Sequence, residues 1–156
     1  MKRVLLVVLV LTLSLGFSTA ALAQPGSGTP QKTVAVGYAV EGWVYPLPLE
    51  EWQWGYQAIG SMSATYTMQP KAADVNISFI LPGQRTSVRA KLVEFIDLFE
   101  WEEGQMWIVG YWDVYVNGKL FLDNAQSAIS LWPEGWKIHI WDGGVDKFHV
   151  WGHYRP

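Results

Sequence analysis

The sequence predicts an all-β domain of about eight antiparallel strands, folded as a sandwich or a flattened barrel and built mainly of sequential hairpins. Apolar and polar side chains alternate with a period of two through most of the chain after position 32. Short turn sequences separate the alternating runs. The strongest is Asn117-Gly118, because a two-residue type I′ hairpin turn requires positive φ at both central positions. No repeat of about 20 to 50 residues is visible, which excludes a solenoid or a propeller.

Residues 1–23 have the three parts of a cleaved signal peptide. Lys2 and Arg3 form a charged start, an apolar run follows at 4–15, and Ala21-Leu22-Ala23 is a small-residue cleavage site. The apolar run is too short to span a bilayer comfortably. We therefore expect export to the periplasm, the cell envelope or the exterior, with no stable membrane span after cleavage.

The mature chain is predicted to contain a flexible leader and a single domain. Residues 24–32 contain two Pro and two Gly but no large apolar side chain, which is typical of a tether. The domain at 33–156, like the rest of the sequence, has no Cys, so disulfides, thiol chemistry and an acylated Cys at the cleavage site are excluded. It must therefore be stabilised by its own core.

The charge of the mature chain argues against two classes of partner. Without Lys2 and Arg3, nine basic residues stand against fourteen acidic ones, a net charge of −5. No run of Lys or Arg could neutralise a phosphate backbone. Neither nucleic acid nor an anionic membrane surface is an expected partner.

The first three strands are predicted from alternation. The first covers 33–44 and ends before Pro46 and Pro48, which lack the amide donors that a strand ladder needs. Residues 49–56 then form a loop or a short helical turn that carries three aromatic side chains. Further strands are predicted at 57–68 and 75–81, with a turn at 69–74 between them and Pro82-Gly83 at the end.

The segment 86–102 fits two periods. Its apolar residues have helical spacing in one register and alternate with acidic residues in another. We favour a strand, because Glu103-Gly104 supplies a turn that folds the segment back onto the next hairpin. That hairpin spans Gly104–Leu122, and its Asn-Gly turn predicts that Val114 faces Phe121 and Tyr115 faces Leu120. Both faces of its first strand are apolar enough to be covered.

The C-terminal part is predicted as a polar connection at 123–127, an apolar run at 128–132, a turn at 133–135 and a last hairpin at 136–153. Burying the apolar residues of both strands of that hairpin requires partner numbers with an even sum. A two-residue Gly143-Gly144 turn gives an odd sum, so we predict a turn of three or five residues within 142–146. With five residues, His139 lies directly opposite His149.

Two facing imidazoles could chelate a metal ion, since their Cβ atoms would be about 5 Å apart. His153 lies too far along the strand to join them. Histidines on a solvated sheet face, covering neighbouring Trp rings, are the more ordinary interpretation. We therefore predict no metal site and no cofactor.

The abundant aromatic residues suggest a binding surface. All ten Trp lie in the mature chain, and a domain of this size has too little interior to hide every ring. Sugars suit such rings because their C–H faces pack on them while their hydroxyls bond to nearby polar groups. The predicted ligand-binding residues are Trp52, Trp54, Tyr56, Trp141, Trp151, His139 and His149.

Catalytic patterns are weak in this chain. The acidic residues at 94–103 could hold a pair of glycosidase carboxylates, although acidic residues at such density usually form a solubilising face. The sequence contains no G-x-S-x-G, H-E-x-x-H, P-loop or G-x-G-x-x-G pattern. No catalytic residue is predicted.

We expect an exported, non-catalytic binding or structural module of the cell envelope or exterior. Its expected ligand is a carbohydrate or another envelope component, held by exposed Trp. Two alternatives stay open. One is a small secreted hydrolase or isomerase with Glu or Asp in a barrel mouth, and the other is a homo-oligomeric subunit whose surplus aromatic residues are buried against a copy of itself.

Overall fold

Alternating apolar residues build eight long strands that close into a barrel. A computed structural model describes residues 32–155. Each strand pairs antiparallel with the next, and β8 pairs with β1, so that the sheet has no free edge. The strands are β1 (Lys32–Val44), β2 (Tyr56–Met68), β3 (Lys71–Leu81), β4 (Thr86–Glu102), β5 (Gln105–Val116), β6 (Lys119–Trp132), β7 (Gly135–Asp142) and β8 (Val145–Tyr154), with a 3₁₀ turn at Pro82–Gln84.

The predicted all-β fold of eight sequential hairpin strands is confirmed, and the barrel is the alternative that the chain adopts. The ambiguous segment 86–102 is strand β4. The predicted signal peptide at 1–23 lies outside the described residues, as does the leader up to residue 31, while Lys32 begins β1. Within residues 32–155 there is no helix of the length and hydropathy that a membrane span requires.

The barrel interior is filled by the inward-facing residue of each alternating pair. Trp112, Trp136, Phe148 and Met62 are among its fully buried side chains. Small residues make room for the large ones. Gly152 is one of these, because a Cβ at that position would lie 2.9 Å from the indole carbons of Trp136 and closer still to the carbonyl of Tyr38.

Two predicted turns were wrong because the strands are longer than expected. The turn predicted at 69–74 contains only Gln69 and Pro70, and β3 begins at Lys71. The polar connection predicted at 123–127 is part of β6. There Asn124 has a φ of 54° and its N–H donates to Asp113 Oδ1 at 3.1 Å, so that a β-bulge takes up the polar residues without ending the strand.

The central hairpin has the predicted turn but only part of the predicted register. Asn117 and Gly118 have φ values of 49° and 76°, and Tyr115 faces Leu120 as expected. Val114 faces Leu122 instead of Phe121, because a second bulge leaves Phe121 without a partner. The outer face of β5 is half-buried and not covered, since a closed barrel has no second layer against it.

The connections divide between two ends of the barrel. The loop end carries the 45–55 loop and the turns after β3, β5 and β7, whereas the opposite end carries the remaining turns, Lys32 and Tyr154. The site lies on the outer wall near the loop end.

Candidate functional site

The last hairpin places two histidines side by side by a route that the sequence did not predict. Gly143 and Gly144 form a two-residue turn with φ values of 59° and 77°, so the predicted turn of three or five residues was wrong. A bulge at Lys147 adds one residue to β8, so that beyond it the numbers of paired residues again have an even sum, as in Ile140 with Phe148. His139 therefore faces His149, the pairing that we expected only with a five-residue turn.

The same bulge brings a carboxylate to the two rings. Asp146 pairs with Trp141, on the turn side of the bulge, and so shares the outward face of His149 although the two residues are three apart. Asp146 Oδ1 lies 2.9 Å from His139 Nε2, and Asp146 Oδ2 lies 3.2 Å from His149 Nδ1. We call these three residues the His-Asp-His cluster.

The 45–55 loop folds back over this cluster. Its first residue, Tyr45, donates its N–H to the carbonyl of the bulged Lys147 at 2.9 Å, and the Lys147 ammonium lies 4.4 Å from the centre of the Tyr45 ring. Further along the loop, the carbonyl of Trp54 is bonded to His149 Nε2. This contact joins residues 95 positions apart and ties the loop to β8.

His149 lies on the outer wall but is not solvated, which corrects the expectation for it. The residue is only 4% exposed. Trp43 stacks on one side of its ring at 5.5 Å and Trp54 covers it at 4.6 Å. The predicted face exists, but the loop covers its centre.

Four rings in contact form a row along the outer wall, and Trp52 lies near Trp54 at one end of it. Trp54 contacts both histidines, and His139 in turn lies 5.0 Å from Trp141. Trp52, Trp141 and Trp54 are 78%, 57% and 48% exposed. We call Trp52, Trp54, His139, His149 and Trp141 the aromatic face, and all five were predicted as ligand-binding residues.

The two remaining predicted ligand residues lie apart from this face. Tyr56 begins β2, packs against the core and donates its hydroxyl to the carbonyl of Pro48, which is a structural role. Trp151 lies on the outer wall two residues beyond His149, and its ring contacts His153 at 5.4 Å. Neither ring extends the row.

A cleft beside Trp141 is lined by polar groups of residues 123–127, the segment that was predicted as a connection. Pairing between β6 and β7 ends at Ala128 and His139, and the two strands separate toward the loop end. The cleft between them has a volume of about 480 Å³. Its lining includes Tyr111, Asp123, Asn124, Gln126, Trp141 and Asp142.

A groove on the other side of the aromatic face has similar chemistry. It has a volume of about 520 Å³ and lies against Trp52 and Trp54. Glu41, Gln53 and Gln57 supply its polar side chains. Exposed indoles therefore lie beside hydrogen-bonding groups both at the groove and at the cleft.

The mouth at the opposite end of the barrel lacks the carboxylates of the enzyme alternative. This pocket of about 340 Å³ is lined by residues that include Tyr66, Met106 and Tyr154, and within residues 32–155 its lining contains no Asp or Glu. Burial and the nearby Tyr66 hydroxyl raise the pKa of Tyr154 above its ordinary value. Arg155 also lines this mouth, and its other side chains are apolar or aromatic.

The acidic residues of β4 lie on the outside of the barrel. Asp97 accepts a hydrogen bond from Lys71 at 2.7 Å, and this bond is the main cause that lowers the pKa of the Asp97 carboxyl. Glu100 accepts the N–H of Gly104 at 2.8 Å and so supports the β4–β5 turn. Both carboxylates have structural partners.

Comparisons with known proteins give no family for this chain. No family model, no curated protein and no solved structure matches it. The function must therefore be inferred from the chemistry of the aromatic face, the cleft and the groove.

Proposed function

We propose that this protein is an exported, non-catalytic binding module whose ligand is a carbohydrate of the cell envelope or exterior. The observation that carries the proposal is the row of indoles between two polar depressions. Trp52 and Trp141 are more than half exposed although large apolar rings favour burial. Exposed rings that are grouped beside polar depressions, unlike a ring exposed singly, are typical of a ligand-binding surface.

The arrangement suits a flat, polyhydroxylated ligand. An indole offers an apolar face of the size of a sugar ring, against which axial C–H groups pack. The amides and carboxylates beside it can accept and donate hydrogen bonds to equatorial hydroxyls. With Trp141 at the cleft and Trp52 at the groove, an extended chain is a better fit than a single sugar.

Export is the part of the proposal that depends on residues 1–23 alone. Their charged start, apolar run and small-residue site are those of a signal peptide. The absence of Cys from the whole sequence agrees with a domain that needs no disulfide to survive outside the cell. Envelope and extracellular polysaccharides are then the ligands within reach.

Titration with a panel of soluble polysaccharides tests the proposal. Intrinsic Trp fluorescence and calorimetry should report binding by at least one polymer. Trp141→Ala and Trp52→Ala should each weaken that binding about fivefold, because one stacked ring contributes on the order of 1 kcal/mol. Trp101→Ala is the matched control, since this indole is 68% exposed but lies at the opposite end of the barrel.

Three results would contradict the proposal. Binding by none of the polymers, or an equal loss in the Trp101 variant, removes the aromatic face as the ligand site. Release of reducing ends from a bound polymer makes the protein a hydrolase instead.

Self-association is the second candidate function, and one observation favours it. Val34, Val36 and Tyr38 form an exposed apolar stripe along the outside of β1. Sedimentation of the purified protein at tens of micromolar separates the two proposals. A stable dimer that is lost in Val34→Lys would assign the stripe to an interface between copies, whereas a clean monomer would exclude it.

A further inference from the structure

We propose that the His-Asp-His cluster binds one divalent transition-metal ion of the zinc class, through His139 Nε2, the Asp146 carboxylate and His149 Nδ1. The potential ligand atoms of the three residues all lie within 4.8 Å of one another. Two imidazoles and one carboxylate are a common ligand set for zinc. No metal site was predicted from the sequence, because two facing histidines lacked a third ligand.

The orientation of the His149 ring leaves one nitrogen facing a carboxylate. Its Nε2 is bonded to the carbonyl of Trp54, and a carbonyl can only accept, so this nitrogen carries the proton. The lone pair of a neutral ring then lies on Nδ1, which faces Asp146 Oδ2 at 3.2 Å. Two acceptors at that distance need either a second proton on the ring or a metal ion between them.

A backbone carbonyl behind a ligand histidine is the usual support of a metal site. Such a bond selects the tautomer and holds the ring in place. Here Trp43 and Trp54 also pack on the His149 ring, and Trp141 packs on His139. Both rings are therefore held in one orientation before any ion arrives.

The second histidine distinguishes an ion from a simple hydrogen-bonded network. His139 Nε2 and Asp146 Oδ1 are inaccessible to water and 2.9 Å apart, yet they do not form a hydrogen bond of acceptable geometry with each other. Neither atom has another hydrogen-bond partner in the described part of the chain. A proton on His149 Nδ1 would give a partner only to Oδ2 of Asp146, whereas a metal ion would give a partner to both carboxylate oxygens and to His139 Nε2.

The spacing of the ligand atoms fits a small ion. Ligands at about 2.0 to 2.1 Å in tetrahedral geometry lie roughly 3.3 Å apart. The two nitrogen–oxygen distances of 2.9 and 3.2 Å, each to a different oxygen of Asp146, are close to this value, and the ligand atoms of the three residues lie within 4.8 Å of one another. A set of two nitrogens and one oxygen favours zinc, cobalt, nickel or copper over calcium and magnesium, which prefer oxygen alone.

Metal titration of the chelator-treated protein, purified without a polyhistidine tag, tests the site. Calorimetry with Zn²⁺ should show one ion per chain, Co²⁺ should give the visible absorption of a tetrahedral complex, and Mg²⁺ should not compete. His139→Gln and Asp146→Asn should each weaken Zn²⁺ binding at least tenfold. The matched controls His153→Gln and Asp142→Asn should bind as the unaltered protein does.

A measurement on the unaltered protein guards against variants that fail to fold. Ring resonances of His139 and His149 should shift on addition of one equivalent of Zn²⁺, while those of His153 should not. Absence of binding, shifts confined to His153, or binding that survives both cluster substitutions in folded protein would overturn the proposal. The site does not depend on the carbohydrate proposal, because the polysaccharide panel and the Zn²⁺ titration can fail separately.

Discussion

At the scale of single residues, the barrel depends on small side chains that face large ones. Trp136 is fully buried between β1 and β8, and a Cβ on Gly37 or Gly152 would collide with its ring or with nearby backbone. Flexible side chains can move away from such a contact, but the carbonyl of Tyr38 beside Gly152 belongs to the sheet itself. Glycine at 152 is therefore required by space and not by a special φ.

Gly152→Ala should lower the free energy of unfolding by about 2 to 3 kcal/mol, the upper part of the range for overpacking a well-filled core. Urea unfolding measures the change. Gly83→Ala is the matched control, because nothing lies within 4 Å of a Cβ at that position. Because Gly→Ala lowers the entropy of the unfolded chain and so favours folding, similar losses in both variants would show that the Trp136 and Tyr38 contacts do not set the cost.

At the scale of the strand and turn, alternation predicted where strands lie better than it predicted their register. Each misassigned register involved a bulge, at Phe121, at Asp123 and Asn124, and at Lys147. A bulge changes which side chain faces outward but leaves the hydropathy pattern on either side intact. For this reason His139 faces His149, as a five-residue turn would also have placed it, but nothing in the sequence indicated that Asp146 joins them.

Contacts between elements that are far apart in the sequence could not be predicted from the local pattern of residues. The Trp54 carbonyl meets His149 because the 45–55 loop folds over the last hairpin. Neither segment has a sequence feature that indicates contact with the other. The composition predicted exposed aromatic residues, and Trp52, Trp54 and Trp141 are exposed. The burial of His149 and the cleft between β6 and β7 depend on the closed sheet and could not be predicted.

The separation of β6 from β7 predicts uneven protection along these strands. Any amide of 123–127 that points into the cleft has no partner in β7, although 125–127 pair with β5 on their other side. Ile129 pairs with Ile138 nearer the opposite end. Hydrogen exchange should therefore be faster at the cleft amides than at 129–131 by at least tenfold, since unpaired amides need no opening of the sheet. Equal protection on both sides of Ala128 would mean that the cleft closes in solution.

At the scale of the whole molecule, the choice between sandwich and barrel was decided by one pairing. β8 lies against β1 over seven registered positions, from Gly37 with Tyr154 to Val44 with Phe148. These residues are over 100 positions apart in the sequence, so no local pattern could specify their contact. The hairpin order along the chain was predictable, whereas the closure of the ring was not.

That closure has a consequence for the connectivity of the chain. Because Tyr154 lies beside Gly37, the end of β8 is about 17 Å from Lys32 at the usual rise of a strand, a gap that about six residues can bridge. Cutting between Gly118 and Lys119 would leave the bond between Asn117 Oδ1 and the Ser87 N–H in place. A circular permutant joined and cut in this way should form the same barrel, with β6 as its first strand and β5 as its last.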